Sequence, residues 1–159
     1  MKALFLILIF ISNFSISQTS YSQIGHDSIN TKLLNELVID QINYERFTRG
    51  IQKLSLYKEV SDAAVKHNNW MIKFNKFEHS HNGLGEICAL TQCNSNMSYF
   101  ELAKDIVKGW MGSPRHRALI LDTQFTYIGT SVNFYIKEQS KFLSIGIFNY
   151  YINATTCFK

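Results

Sequence analysis

The sequence contains a single proline, Pro114, and only eight glycines. This scarcity excludes collagen-like and proline-rich chains, and a hydrophobic share of 46% excludes an intrinsically disordered one. The length of 159 residues suits one globular domain and is too short for two of full size. We therefore expect a single domain with a packed core.

Long apolar runs are also scarce, and the run from Leu4 to Ile11 is too short to span a bilayer. It follows a basic residue and precedes small and polar residues, which is the pattern of a cleavable secretory signal. We interpret residues 1–22 as this signal, with cleavage before Gln23 or, alternatively, before Gln18. No later run is suited to crossing a membrane. The mature chain is therefore predicted to be secreted or periplasmic, without a transmembrane segment.

Charge of either sign is sparse: 16 basic and 12 acidic residues give a net charge of +4. Without Lys2 the balance becomes 15 minus 12, or +3. The basic residues are scattered, and their densest group, Lys104, Lys108, Arg115 and Arg117, does not make a nucleic-acid interface. No nucleic-acid partner is expected.

The sequence has three cysteines, Cys88, Cys93 and Cys157, and an odd number leaves one unpaired in an oxidising compartment. We favour a disulfide between Cys88 and Cys93, which would close a short loop and leave Cys157 free in the tail. A bridge from Cys157 to either of the others is the alternative. No CxxC spacing is present, so the spacing does not indicate a thiol metal site.

Apolar residues recurring every three or four positions predict helices in the first two thirds of the chain. A polar lead-in over residues 23–31 should end at Thr31, a candidate N-cap. Ser98 and Glu101 have the spacing of a capping box. The predicted helices are Thr31 to about Arg46, about Glu59 to Phe74, Ser98 to Gly112 or Ser113, and a short turn or helix over Arg115–Leu121.

The periodicity changes to two after Asp122, which predicts antiparallel strands over Tyr127–Ile136 and Lys141–Tyr150. A hairpin turn should join them at Lys137–Ser140. Ile51–Leu56 is interpreted as a short extended connector. From Asn75 to Asn96 no helical period survives, so this segment is predicted to be an irregular loop.

That loop contains His79, His81 and Glu86, and His116 follows later in the chain. Two imidazoles and a carboxylate would occupy three of four positions around a zinc ion. Spacing alone does not define such a site, because no HExxH pair is present. A serine hydrolase is not expected either, since GxSxG is absent. Trp70, Trp110 and His67 are interpreted as core residues because they fall on apolar helix faces.

Four segments in order resemble the CAP superfamily, which comprises cysteine-rich secretory proteins, antigen-five allergens and pathogenesis-related proteins. The opening helix is similar to the family pattern LLxxVNxxR. Phe77 to Ser80, followed by Gly85 to Ile87, is similar to FxHS…GEN. Trp110 to Arg117 is similar to WxxSPGHR, and Phe125 to Gly129 is similar to FTEIGVG. The resemblance covers about Lys32 to Phe148 and is closest to bacterial secreted members. We accordingly assign residues 32–159 to a CAP, or SCP-like, domain.

The resemblance implies an α+β fold, a three-layer α-β-α sandwich with a small antiparallel sheet and a cleft that can hold zinc or another divalent cation. Position by position, His79, Glu86 and His116 take the places of the cleft residues, and His81 rivals His79 for the first place. Two positions depart from the pattern. Ile87 replaces an asparagine, and Ser113 occupies the position of a second glutamate, as it commonly does in bacterial members.

The function implied by the resemblance is that of a secreted binding or interaction protein, and the family's precedents do not lead us to expect general catalysis. Its partner would be a metal ion, a small apolar or lipid ligand, or an extracellular protein, and the chain is expected to be a monomer. The alternative is a zinc-dependent, peptidase-like hydrolase with Glu86 as general base. A third interpretation is a structural envelope protein with an inert cleft.

Overall fold

The computed structural model describes residues 24, 29–94, 96–135 and 149–159. Its helices and strands, in chain order, are α1 (Thr31–Phe47), β1 (Ser55–Leu56), α2 (Lys58–Phe74), β2 (Gly85–Asn94), α3 (Tyr99–Gly112), α4 (Pro114–Leu121), β3 (Tyr127–Tyr135) and β4 (Asn149–Phe158). Among the helices of these residues, none is both long and apolar enough to cross a membrane.

The helix ends follow local side-chain chemistry. The capping box of α3 is confirmed, because the Ser98 hydroxyl accepts from the Glu101 amide and the Glu101 carboxylate accepts from the Ser98 amide. The cap of α1 is Asn30 rather than Thr31, and its side chain accepts from the amide of Leu33. Pro114 begins α4, where its missing N–H costs no hydrogen bond.

The four strands form one sheet in the order β1-β3-β4-β2. The pairs β3–β4 and β4–β2 are antiparallel, as expected, whereas β1 runs parallel to β3 through Ser55 and Leu56. The sheet is therefore mixed. A two-residue strand is too short to show a periodicity, so the sequence could not reveal this pairing.

The prediction of an irregular loop from Asn75 to Asn96 is wrong for its second half, which forms the ten-residue strand β2. The strand predicted to end at Tyr150 instead continues to Phe158, so Cys157 lies within β4 and not in a tail. The predicted turn Lys137–Ser140 lies outside the described residues, as do residues 141–148 of the second predicted strand.

Helices cover both faces of the sheet, which confirms the expected three-layer sandwich. Helix α2 packs on one face, through Val60 and Ala64 against Cys157. The opposite face carries the main core, formed with α1, α3 and α4. Ile24 joins this core: it is fully buried and its amide donates to the carbonyl of Met97, although the sequence placed it in a loose lead-in.

A buried arginine ties α1 to the segments around it. Arg46 is 1% exposed, and its guanidinium donates to the carbonyl oxygens of Gln52, Ile120 and Asp122 at 2.8 Å each. These carbonyls belong to the connector before β1 and to the end of α4. One side chain thereby satisfies backbone acceptors that the interior would otherwise leave unpaired.

Helix α2 begins directly against the backbone of β3 at Gly129. A Cβ atom at Gly129 would overlap the backbone of Val60 and Ser61. This close approach brings the helix onto the sheet face that carries Glu86 and Cys157, because these two residues pair across β2 and β4 and Cys157 pairs with Gly129.

We expect Gly129→Ala to destabilise the chain strongly, by about 2 kcal/mol or more, because the added methyl meets helix backbone that cannot rotate away. Urea unfolding followed by circular dichroism measures the effect. The matched control is Gly109→Ala on α3, where a Cβ meets nothing within 4 Å. There alanine should stabilise by about 0.5–1 kcal/mol, since it favours helix more than glycine does. Equal effects at both positions would contradict the tight contact.

Candidate metal cleft

The site is built around the carboxylate of Glu86, which is 8% exposed on β2. Its Oε1 accepts a hydrogen bond from Nδ1 of His79 at 2.9 Å and another from the amide of Ser80 at 3.0 Å. Both donors come from the loop between α2 and β2. The structure thus brings His79 and Glu86 together, as the resemblance implied.

The loop turns back over β2 by means of left-handed backbone. Asn75 ends α2 with φ of 49°, His81 has φ of 54° and Gly83 has φ of 80°. Asparagine and glycine adopt this region at low cost, and the Asn82 side chain adds a local bond to the amide of Leu84. The chain can therefore reverse within a few residues and present His79 to Glu86.

The contact with Glu86 determines which nitrogen of His79 remains available. Glu86, when ionised, can only accept hydrogen bonds, so Nδ1 of His79 carries the proton. Its Nε2 then keeps a lone pair, on a side chain that is 54% exposed. An imidazole held by a carboxylate in this way is the usual arrangement of a metal-binding histidine.

His116 lies in the first turn of α4 and is partly buried. Burial lowers the pKa of His116, and the charge of His79 lowers it further. Ser113, at the position of the second glutamate, is the N-cap residue of α4. His81, the rival of His79, is exposed two residues beyond it.

Three further residues, which sequence reasoning missed, lie close to the same carboxylate. His67 on α2 and Cys88 on β2 each have a donor atom 3.7 Å from Oε1 of Glu86, and Sγ of Cys157 is 4.0 Å from Oε2. All three are buried. His67 also contacts the carbonyl of Glu78 through Nε2 at 2.7 Å.

The sequence contains these residues, but it predicts that they lie together only when strand β2 is known. Residues two apart on a strand point to the same face, so Glu86 and Cys88 become neighbours only when residues 85–94 are known to be extended. His67 gave no separate signal, because a histidine on an apolar helix face is typical of a core.

The predicted disulfide between Cys88 and Cys93 is wrong, and all three cysteines are free thiols. Five residues of strand separate two Cα atoms by about 16 Å, whereas a disulfide requires less than about 7 Å. Cys93 also points to the opposite face of β2 from Cys88. The alternative bridges to Cys157 are likewise absent from the structure.

The environment keeps the thiols of Cys88 and Cys157 protonated. Burial raises the pKa of each to about 12, and the nearby charge of Glu86 adds to the shift. For Glu86 itself, burial acts to raise the pKa, but the hydrogen bonds from Ser80 and His79 and the charge of His67 together lower the pKa below its ordinary value. Glu86 is therefore a stable anion.

A hollow of about 120 Å³ is lined by residues from α2, the following loop, β2 and β4, none of which is a candidate metal ligand. Its lining includes the apolar side chains of Met71, Ile72, Phe77 and Leu90. A larger depression of about 510 Å³ runs along α3 and is lined by charged side chains such as Glu101 and Lys104. None of the residues lining the larger depression belongs to the cleft.

Glu86 should make stability depend on pH in a way that Glu86→Gln removes. Because folding lowers its pKa, its contribution is complete above the unfolded value of about 4.3 and is lost as the pH falls through the lower folded value. The parent should therefore lose more stability than Glu86→Gln between neutral pH and about pH 3, as urea unfolding would measure. Glu78→Gln, exposed in the same loop, is the control. Parallel curves for parent and Glu86→Gln would contradict the assignment.

We expect all three thiols to be free and protected. Titration with a thiol reagent in denaturant, without reductant, should count three thiols per chain, because the structure leaves all three cysteines unbridged. In the native state the same reagent should react slowly with each, since burial withholds the thiolate. A count of one free thiol in denaturant would show that two of the cysteines form a disulfide, and it would contradict this prediction.

Comparisons with known proteins agree with this architecture. Residues 39–151 match the model of the CAP family, described as the cysteine-rich secretory protein family. An outer surface protein from Borrelia burgdorferi has a similar structure, with a TM-score of 0.53 at 14% identity over 82% of this chain and 96% of that one. An extracellular protein containing an SCP domain, from Bacillus anthracis strain Ames, gives a TM-score of 0.50 at 17% identity over 79% of this chain and 40% of that one.

A curated relative is the uncharacterized membrane protein YlbC from Bacillus subtilis strain 168. It is 25% identical over 105 residues, which are 60% of this chain and 30% of the relative. The chain thus matches less than a third of the length of that protein. The family match spans most of the present sequence, and the chain belongs to the CAP family.

Proposed function

We propose that this CAP domain is a binding module whose cleft holds a divalent metal ion, preferably zinc, through His79 and His116. The observation that carries the proposal is the 2.9 Å contact between Nδ1 of His79 and Oε1 of Glu86. It leaves Nε2 as the available donor of an oriented imidazole. In this arrangement Glu86 positions His79 and is not itself a ligand of the cleft metal.

The donor set fits a metal that retains open positions. His79 and His116 supply two nitrogens, and Ser113 supplies no carboxylate where a second glutamate would stand. A zinc ion bound by two imidazoles would offer its remaining positions to water or to an acidic group of a partner molecule. The module would therefore recognise a carboxylate on an extracellular protein or small ligand by completing the coordination of the metal.

A lipid is a poorer occupant of this part of the molecule. The hollow lined by Met71, Phe77 and Leu90 has a volume of about 120 Å³, whereas pockets for drug-sized ligands span about 300–1,000 Å³. The larger depression along α3 is lined by Glu101, Lys104, Asp105 and Lys108. Among the described residues, neither of these two hollows has the apolar lining and the size that a lipid needs, and we favour a metal ion because Glu86 orients the imidazole of His79.

The alternative of a zinc-dependent hydrolase needs Glu86 as a general base, and its surroundings oppose that role. An effective base has a pKa near the working pH and an oxygen within reach of the reacting water. Glu86 is buried, its Oε1 is engaged by His79 and Ser80, and its pKa is lowered. Zinc-dependent peptide or ester hydrolysis that disappeared in Glu86→Gln would contradict the proposal of binding alone.

We further propose that the protein acts outside the cytoplasm. Residues 1–22 have the pattern of a secretory signal, residues 23–31 would be the lead-in, and residues 32–159 the CAP domain. The structural relatives named above are described as an outer surface and an extracellular protein, which supports this location. We expect the domain to work as a monomer.

Isothermal titration calorimetry with zinc tests the cleft. His79→Ala and His116→Ala should each lower the stoichiometry by one zinc ion, because each removes one of two protein ligands. Glu86→Gln should weaken this site by about 10–100-fold, the usual cost of losing a carboxylate that orients a ligating histidine. The free energy of unfolding of each variant should be measured beside the titration.

The matched control is His81→Asn, in the same loop. Asparagine tolerates the left-handed backbone of His81, so the loop should keep its shape. This variant should bind zinc like the parent. If His81→Asn lowered the stoichiometry while His79→Ala did not, His81 would be the ligand. Unchanged stoichiometry in both alanine variants would overturn the cleft assignment.

A further inference from the structure

We propose that His67, Glu86 and Cys88 form a second metal site, buried beneath the cleft, that takes a thiophilic divalent cation such as zinc, cobalt or cadmium. One donor atom from each residue lies within 4.8 Å of the other two, and all three residues are buried. Cys157 stands beside them as a candidate fourth ligand. The site goes beyond the proposed function, because it uses different donors and no residue exposed in the cleft.

The donor separations already approach those of a bound metal. Zinc bonds of about 2.0–2.3 Å in a tetrahedron place neighbouring ligand atoms about 3.3–3.8 Å apart. The distances from Oε1 of Glu86 to Nε2 of His67 and to Sγ of Cys88 are both 3.7 Å. Sγ of Cys157 lies 4.0 Å from Oε2 of the same carboxylate. Small side-chain rotations would therefore suffice to enclose an ion.

The strand register explains why these donors converge. Glu86 pairs with Cys157, and Cys88 pairs with Thr155, across β2 and β4. Glu86, Cys88 and Cys157 therefore share one face of the sheet. Helix α2 packs on that face and contributes His67, so the donors come from three separate elements.

The carboxylate also has the outer hydrogen bonds that ligating carboxylates usually have. Nδ1 of His79 and the amide of Ser80 both donate to Glu86 and fix its plane. The same contacts that orient His79 toward the cleft thus orient Glu86 toward the buried donors. A single carboxylate would serve as ligand in one site and as positioning residue in the other.

Binding requires two local changes. Nε2 of His67 must give up its contact with the carbonyl of Glu78, which lies in an exposed part of the loop where water can replace it. The thiol of Cys88 must release its proton to solvent as the metal–sulfur bond forms. The first change concerns the loop that covers the site, so an ion would enter from that side.

Cobalt(II) titration of the reduced, purified chain under anaerobic conditions tests the proposal. Bonding between cobalt and a thiolate produces a sulfur-to-cobalt charge-transfer band in the near ultraviolet, which the two-histidine cleft cannot produce. The parent should show the band at one cobalt per chain and lose it when zinc is added. His67→Gln should weaken cobalt affinity by at least about tenfold. A parent spectrum without the band would overturn the proposal.

Matched variants separate this site from the rest of the protein. Cys88→Ser should reduce the band, since only Cys157 could still supply a thiolate, and the double variant Cys88→Ser/Cys157→Ser should abolish it. Cys93→Ser, on the opposite face of the same strand, should keep the band. His116→Ala should also keep the band, because it belongs to the cleft alone. The two proposals thus fail separately, because the band reports the buried site alone and the zinc stoichiometry of His116→Ala reports the cleft alone. A band of parental strength in Cys88→Ser, or any band in the double variant, would exclude the buried site, and the parent spectrum decides even if a variant does not fold.

Discussion

The carboxylate of Glu86 is the group on which the arrangement of this region depends. Burying a charge is unfavourable unless donors surround it, and the loop before β2 supplies them through His79 and Ser80. The loop can do so because Asn75, His81 and Gly83 accept left-handed backbone. The buried carboxylate, the reversed loop and the oriented imidazole of His79 therefore depend on one another.

The position of α2 is fixed by its contacts with the sheet. Gly129 lets the start of the helix rest on the backbone of β3. Farther along, the Asn68 amide donates to the carbonyls of Ser131 and Asn153, which joins the helix to β3 and β4. His67 is the residue before Asn68, so the same bonds hold its imidazole near Glu86. Packing that looks purely structural thereby sets the position of a candidate ligand.

Sequence reasoning identified the helices and the cleft residues for different reasons. The helices have periodic apolar faces and capping residues such as the Ser98 capping box. Both features are visible within a short stretch of sequence. His79, Glu86 and His116 were selected by resemblance, because no spacing between them is diagnostic. His79 and Glu86 meet because the loop before β2 reverses its direction, and His116 lies on the separate helix α4. Neither periodicity nor composition contains that information.

The errors share a physical origin in β2 and β4. Segment 85–94 contains polar and cysteine residues that form a strand only because β4 pairs along its whole length. Without that pairing, Cys88 and Cys93 resembled the ends of a short stapled loop. Because β2 was not predicted, the sequence also did not show that Glu86 and Cys88 lie on the same face of a strand. One missed strand thus produced both the false disulfide and the overlooked group of donors.

The chemistry of Glu86 favours a binding role over a purely structural one. Replacing a buried charged group by a well-packed apolar residue is often neutral or stabilising, so a carboxylate here is not the simplest way to hold β2 in place. It is surrounded by two imidazoles and two thiols, which are the groups that borderline and soft cations prefer. In the cleft its charge would orient His79, and beneath the cleft it would balance part of the charge of a bound ion. A metal ion would thus add to the hydrogen bonds that already stabilise this carboxylate.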